Sequence, residues 1–126
     1  MEQNNKLQTR QYDLEERVTV FSENLITFCK TLGITVISKS LIDQLIRSGT
    51  SIGANYMEAN ACNSRKDFIN KVTIARKESK ETLYWFRLLS TQFPDRKDIL
   101  RTLWKECHEL SLILGGILKS SKAKLS

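Results

Sequence analysis

The sequence predicts an all-α, up-down antiparallel four-helix bundle, and three observations predict it. Glycine and proline number five and one in 126 residues, too few for the turn-rich punctuation of an all-β fold. Apolar residues recur at alternating steps of three and four over four long stretches, the seam of helices packed at small crossing angles. Residues 41–59 are apolar on nearly every side, as in a helix enclosed by its neighbours. A chain of this length is expected to be one domain. Its expected organisation is a flexible N-terminus over residues 1–11, the bundle over 12–119 and a flexible basic tail over 120–126 carrying Lys122 and Lys124.

The elements follow in order. Asp13 with Glu16 has capping-box spacing and is expected to start helix one, whose seam is Leu14, Val18, Phe21, Leu25, Phe28 and Leu32. Gly33 is placed to end it in a left-handed conformation. Thr35 is the expected cap of helix two, Ser64 with Asp67 that of helix three. Helix three has the most regular seam: Phe68, Val72, Ala75, Ser79, Thr82, Phe86 and Leu89. Pro94 stops it and Asp95 is expected to cap helix four, with Leu103, Cys107, Leu110, Leu114 and Ile117 on its seam.

Helix two is the expected hub. One strip carries Leu41, Leu45, Ser48, Ile52, Asn55 and Ala59, and a second carries Ile42, Ile46, Gly49, Gly53 and Tyr56. Glycine inside a helix costs on the order of 1 kcal/mol against alanine, a cost usually offset where another backbone approaches closely. The middle of helix three is small as well (Ala75, Ser79, Thr82), so helices two and three are expected to pack tightly with their hydroxyls paired. A lone bundle needs one apolar strip per helix. Helix two has a second, and so does helix three, with Ile74, Trp85 and Leu88. Ile42, Ile46, Gly49, Gly53, Tyr56, Ile74, Trp85 and Leu88 are therefore the expected oligomer interface, since soluble monomers rarely expose such patches and closed symmetry buries them.

Arg47, Ser51, Asn55 and Glu58 form a polar ladder along helix two. It reads either as a binding groove or as a buried hydrogen-bonded network fixing helix register. The network is the favoured reading, because buried polar groups serve pairing first. Arg47 and Glu58 are too far apart to pair within one helix, so their partners are expected elsewhere, with Arg76 and Glu81 as candidates.

The stretches QLIRSGTSIGANYMEA and NSRKDFINKVTIARKESKETLYWFRLL resemble a small bacterial four-helix-bundle family, the 23S-rRNA intervening-sequence proteins. The matching positions are Gln44-Leu45, Arg47-Ser48, Ser51-Ile52, Asn55, Glu58, Ser64, Asp67-Phe68, Ala75 and Glu81-Thr82-Leu83. Ala59 departs from the pattern, which often has glycine there. The resemblance covers helices two and three closely, and implies a four-helix bundle assembling as a ring, a homopentamer. The accessory variability determinant of retroelements is more distantly similar, and implies a nucleic-acid-processing protein or nucleic acid as partner.

Charge is uneven along the chain. Residues 1–62 hold six cations against seven anions, and residues 63–126 fourteen against seven. Lys66, Lys77, Lys80, Arg87 and Arg101 are the expected nucleic-acid contacts, with Lys71, Arg76, Arg96, Lys97 and Lys105 nearby and Tyr84 and Trp104 among them. Cations interleaved with aromatics are what single-strand binders use, although lysines on the solvent face of a helix are also ordinary.

Other chemistry finds little support. Cys29, Cys62 and Cys107 have no metal-site spacing, and their oddness fits a reducing cytoplasm. His108 is the only histidine, and a di-iron bundle needs two Glu-x-x-His motifs on different helices. Gly49-x-x-x-Gly53 lies within a helix and is no phosphate loop. No membrane span, cofactor, metal or catalytic residue is expected. The expected function is a non-enzymatic homo-oligomeric scaffold or adaptor for RNA, DNA or a nucleic-acid enzyme. The alternative is a protein-binding module without nucleic-acid contact.

Overall fold

The computed structural model describes residues 6–125, with side chains from Asp13 onward. Among the described residues the chain forms four long helices and no strand: α1 (Lys6–Cys29), α2 (Val36–Asn60), α3 (Arg65–Gln92) and α4 (Lys97–Leu125). A short 3-10 turn, Pro94–Arg96, joins α3 to α4. Side-chain contacts fix the topology as up-down and antiparallel. Asn60 donates to Glu15 at 2.7 Å between α1 and α2, and Thr82 donates to Ser48 at 2.9 Å between α2 and α3. The Cys107 thiol reaches the Ser79 carbonyl at 3.4 Å between α3 and α4. Arg17 closes the circuit from α1 to α4 with a two-pronged bond to Glu106 at 2.7 and 2.9 Å, supported by Glu109 at 3.4 Å.

Local chemistry starts α2 and α3 where the sequence indicates. The Thr35 hydroxyl accepts from the Ser38 amide, and the Ser38 hydroxyl accepts from the Thr35 amide, a reciprocal box with serine in place of the usual glutamate. Ser38 also donates to the Gly33 carbonyl at 2.8 Å, which ties down the preceding turn. Ser64 caps α3 by accepting from the Asp67 amide. Beyond α3, the Phe93 amide bonds back to Leu89, and Pro94 opens the 3-10 turn, where its missing N–H costs nothing.

Four boundaries differ from expectation. Nothing between Lys6 and Asp13 breaks a helix, so α1 already includes Lys6, the first described residue, and Asp13 lies well inside it rather than capping it. Of the expected N-terminal segment, residues 1–5 lie outside the described residues and 6–11 are helical. Gly33 is not left-handed; α1 ends instead by tightening, with the Thr31 and Leu32 amides reaching only three residues back. Asp95 makes no cap, since the 3-10 turn occupies its place and α4 starts at Lys97 with Asp98 in its first turn. Finally, α4 continues through residues 120–125, and its Ser121 is buried.

The core is one cluster to which all four helices contribute, and the helix-one seam is buried throughout. Phe21 of α1 and Phe86 of α3 meet edge to face across its centre at 6.4 Å. On α3, Ile69 takes the buried place and Phe68 is half-buried; on α4, Leu118 is buried and Ile117 half-buried. Both strips of α2 turn inward, because α2 lies between α1 and α3. Gly53 faces Val18 of α1, whose backbone oxygen lies 3.6 Å from where a Cβ would be. Gly49 faces Leu25 of α1 and Thr82 of α3. The glycines thus admit α1 chiefly, whereas the Ser48 and Thr82 hydroxyls pair across the α2–α3 seam.

Burial of the thiols gives a first prediction. Cys29 and Cys107 are buried free thiols, and desolvation pushes them up to about 11 and about 12. Cys62 is only half-buried. A thiol reagent is expected to modify Cys62 alone in the native protein and all three cysteines after denaturation. Unfolded thiols ionise near 9.0 while the folded pair stays protonated, so unfolding releases protons. The contribution of the pair is full below pH 9 and is lost as pH rises from about 9 to 12, as melts across that range would record.

Candidate nucleic-acid interface

Two of the helices place several of their cations along one groove. On α3, Thr73, Lys77, Lys80, Tyr84 and Arg87 follow steps of four and three, so they share a side. On α4, Lys97, Arg101, Trp104, His108, Gly115 and Lys122 fall on one such register. Because the helices are antiparallel neighbours, the two rows flank a common cleft. Its wider part, about 670 Å³, is lined by Tyr84, Arg87, Lys97, Arg101, Trp104 and Lys105 over a floor of Leu83, Phe86, Ser90 and Leu100. A narrower part, about 320 Å³, is lined by Thr73, Arg76, Lys77, Lys80, Leu118 and Lys122. Among the described residues no aspartate or glutamate lines either part. Of the three acidic residues of α3, Asp67 lies in its first turn, Glu78 is near Arg47 of α2, and Glu81 accepts from the Trp85 indole at 3.2 Å.

The walls of the groove have distinctive detail. Trp104 and His108 stack at 5.0 Å with their planes 18° apart, as one turn of helix allows. Tyr84 on the opposite wall is more than half exposed, and Trp104 remains 38% exposed. The Arg76 guanidinium lies over Gly115, about 3.3 Å from where a Cβ would be, so any side chain at 115 would displace it. Beneath, the Ser111 hydroxyl and His108 Nδ1 are buried without a hydrogen-bond partner. Among the described residues, Arg76, Lys80, Arg87, Lys97, Arg101 and Lys105 form no salt bridge. No described carboxylate pairs with them, which leaves their charge to attract an anion.

Lys77, Lys80, Arg87 and Arg101 are thus brought together, with both aromatics; Lys66, exposed near the start of α3, lines neither part. Sequence reasoning missed Lys122, which it assigned to the tail, and its signal was the continued four-three register past Leu118. Arg96 turns away and donates to the Thr31 hydroxyl and carbonyl at 3.0 and 3.1 Å.

The polar ladder is not a buried network. Arg47 and Glu58 are exposed, and Ser51 and Asn55 bond only carbonyls of their own helix, at 2.7 and 2.8 Å. Glu58 pairs with Lys71 at 2.7 Å, not with Arg76, and Arg47 lies near Glu78 rather than Glu81. The row runs along the outer side of the α2–α3 seam, where water solvates it.

The expected oligomer strip also divides. Ile42, Gly49, Gly53 and Tyr56 are buried within the chain, the two glycines against α1, which corrects the expectation that they lie on its surface. Ile46, Trp85 and Leu88 are half-buried, and Ile74 is 39% exposed. What remains outward is the α3 strip of Ile74, Trp85 and Leu88. A separate apolar turn before and at the start of α2 exposes Ile34, Val36 and Ile37, of which Val36 is 90% exposed. Among the described residues no helix is long and apolar enough to cross a membrane.

Comparison with known proteins bears on identity. No curated protein matches the chain. The crystal structure of a protein with unknown function from the S23 ribosomal protein family, from Bacteroides thetaiotaomicron VPI-5482, is similar at a TM-score of 0.75 and 33% identity. The match covers 84% of this chain and 98% of that one. Residues 10–116 match the family described as 23S rRNA-intervening sequence protein, nearly the whole bundle. With the helical fold and these matches together, the chain belongs to the 23S rRNA-intervening sequence protein family.

Proposed function

We propose that the protein is a non-enzymatic, self-associating bundle that works in the cytoplasm as a scaffold or adaptor and binds nucleic acid along the α3–α4 groove. The observation that carries this reading is the groove itself: cations from both helices converge on a cleft with no acidic residue in its lining among the described residues. Phosphate neutralisation by such residues dominates nucleic-acid affinity and makes it salt-dependent. Electrophoretic mobility shifts with RNA and DNA at low salt test it. Retarded complexes that dissolve as salt rises support the reading, and an unshifted nucleic acid at low salt overturns it.

Self-association would reinforce the site, because a closed ring repeats the groove and raises effective concentration. The outward strip of Ile74, Trp85 and Leu88 is the surface offered for it, and a pentamer is the assembly the reading takes. Light scattering is expected to give five chains per particle. Trp85→Glu is expected to shift the mass downward, since an unpaired charge in an interface is costly. A wild-type monomer at micromolar concentration would remove the assembly from the proposal.

The exposed Ile34, Val36 and Ile37 favour a second reading, a protein-binding adaptor without nucleic acid. Under that reading partners are retained after nuclease treatment and the mobility shifts are absent.

A further inference from the structure

We infer that the α3–α4 groove takes single-stranded rather than duplex nucleic acid, with bases stacked on Trp104 and Tyr84 and phosphates held by the cations beside them. The inference rests on the nucleic-acid reading above and narrows its ligand. Cations alone serve a duplex equally well, so the aromatics decide. Tyr84 on α3 and Trp104 on α4 present exposed ring area from opposite walls of the same cleft, each with arginine or lysine as neighbour. A duplex hides its base faces and leaves these rings nothing to stack on. A single strand offers every base face, whatever its sequence. The cleft agrees in size. Packed helix axes lie about 8–10 Å apart, and a groove between two of them admits one strand but not the body of a double helix.

The groove also has direction. Its wider end holds both aromatics, and its narrower end holds Arg76, Lys80 and Lys122 without an aromatic ring. From Thr73 to Arg87 the α3 wall runs about 21 Å at 1.5 Å per residue. A strand laid along it meets stacking first and then phosphate contacts alone. His108 stacks on one face of the Trp104 indole, which leaves the other face for a base.

The test uses the full chain with a uridine homopolymer of about twelve nucleotides, its deoxy counterpart, and an RNA duplex of equal phosphate count. Titration in a Trp85→Phe background reads Trp104 emission directly. Binding of either single strand is expected to quench it, and the duplex to compete roughly tenfold less well or worse. Trp104→Ala and Tyr84→Ala, read by anisotropy of labelled strand, are each expected to weaken single-strand binding by roughly tenfold. Neither is expected to alter the salt slope, because no phosphate contact is lost. Arg87→Gln is expected to lower that slope by about 0.7. Because both aromatics are substantially exposed, the variants are expected to keep the wild-type circular dichroism. A duplex that competes equally, or aromatic variants that bind as wild type, overturns the single-strand inference and leaves nucleic-acid binding standing. Absence of binding to all three probes overturns both.

Discussion

Gly53→Leu is expected to lower the melting temperature by about 5 °C or more, or to prevent folding, whereas Gly53→Ala is expected to leave it unchanged or raise it. The two variants differ because of the space at one position. A Cβ at 53 would lie 3.4 Å from Val18 Cβ and Cγ2, an ordinary contact, so alanine fits and gains up to about 1 kcal/mol of helix propensity. Leucine adds three further carbons toward Val18, which is fully buried and has no room to move. Overpacking of this kind costs typically about 1–3 kcal/mol and forces α1 and α2 apart. Gly49 reverses the pattern. Even a Cβ there would collide with Leu25 Cδ2, and Leu25 is itself fully buried, so Gly49→Ala is expected to destabilise despite its better propensity. Thermal melts followed by circular dichroism separate the three variants. Equal melting for Gly53→Ala and Gly53→Leu would mean that α1 does not close over α2 there.

Changing Lys77, Lys80, Arg87 and Arg101 together to glutamate is expected to weaken RNA or DNA binding by at least about a hundredfold at low salt. The four lie in one groove, so the reversal places negative charge along the whole path of the phosphates. All four are exposed and form no salt bridge among the described residues, so the melting temperature is expected to stay near wild type. A matched control changes Lys30, Lys39, Lys66 and Lys119 together to glutamate, four residues that are exposed and line neither part of the groove. If the control loses as much affinity as the groove variant, binding follows net charge and not the site.

The repeating features of the chain were legible from its sequence. The seam from Leu14 to Leu32 and that from Val72 to Leu89 are buried as their spacing indicates, because a 3.6-residue period leaves little choice of face. The caps at Thr35 and Ser64 were readable because each hydroxyl has its amide three residues on. The groove was partly legible, since Tyr84 and Trp104 share helical phase with cations on their own helices. What the period does not encode is the angle between neighbours. Whether Ile42 and Tyr56 face solvent or α1 depends on α2 having two partners inside the chain, and one helix pattern cannot count partners. The same limit misplaced the polar ladder: Ser51 and Asn55 satisfy themselves on backbone carbonyls, so no second element is needed to hold them. Helix ends also escaped, because α1 and α4 run on through polar residues that helices tolerate and nothing stops.

Photocrosslinking tests the claim of a nucleic-acid groove most directly. A single strand carrying thiouridine, bound at low salt and irradiated, is expected to attach to peptides of α3 and α4 that contain Tyr84, Arg87, Arg101 and Trp104. Crosslinks confined to α1, or to the exposed turn of Ile34, Val36 and Ile37, would contradict it.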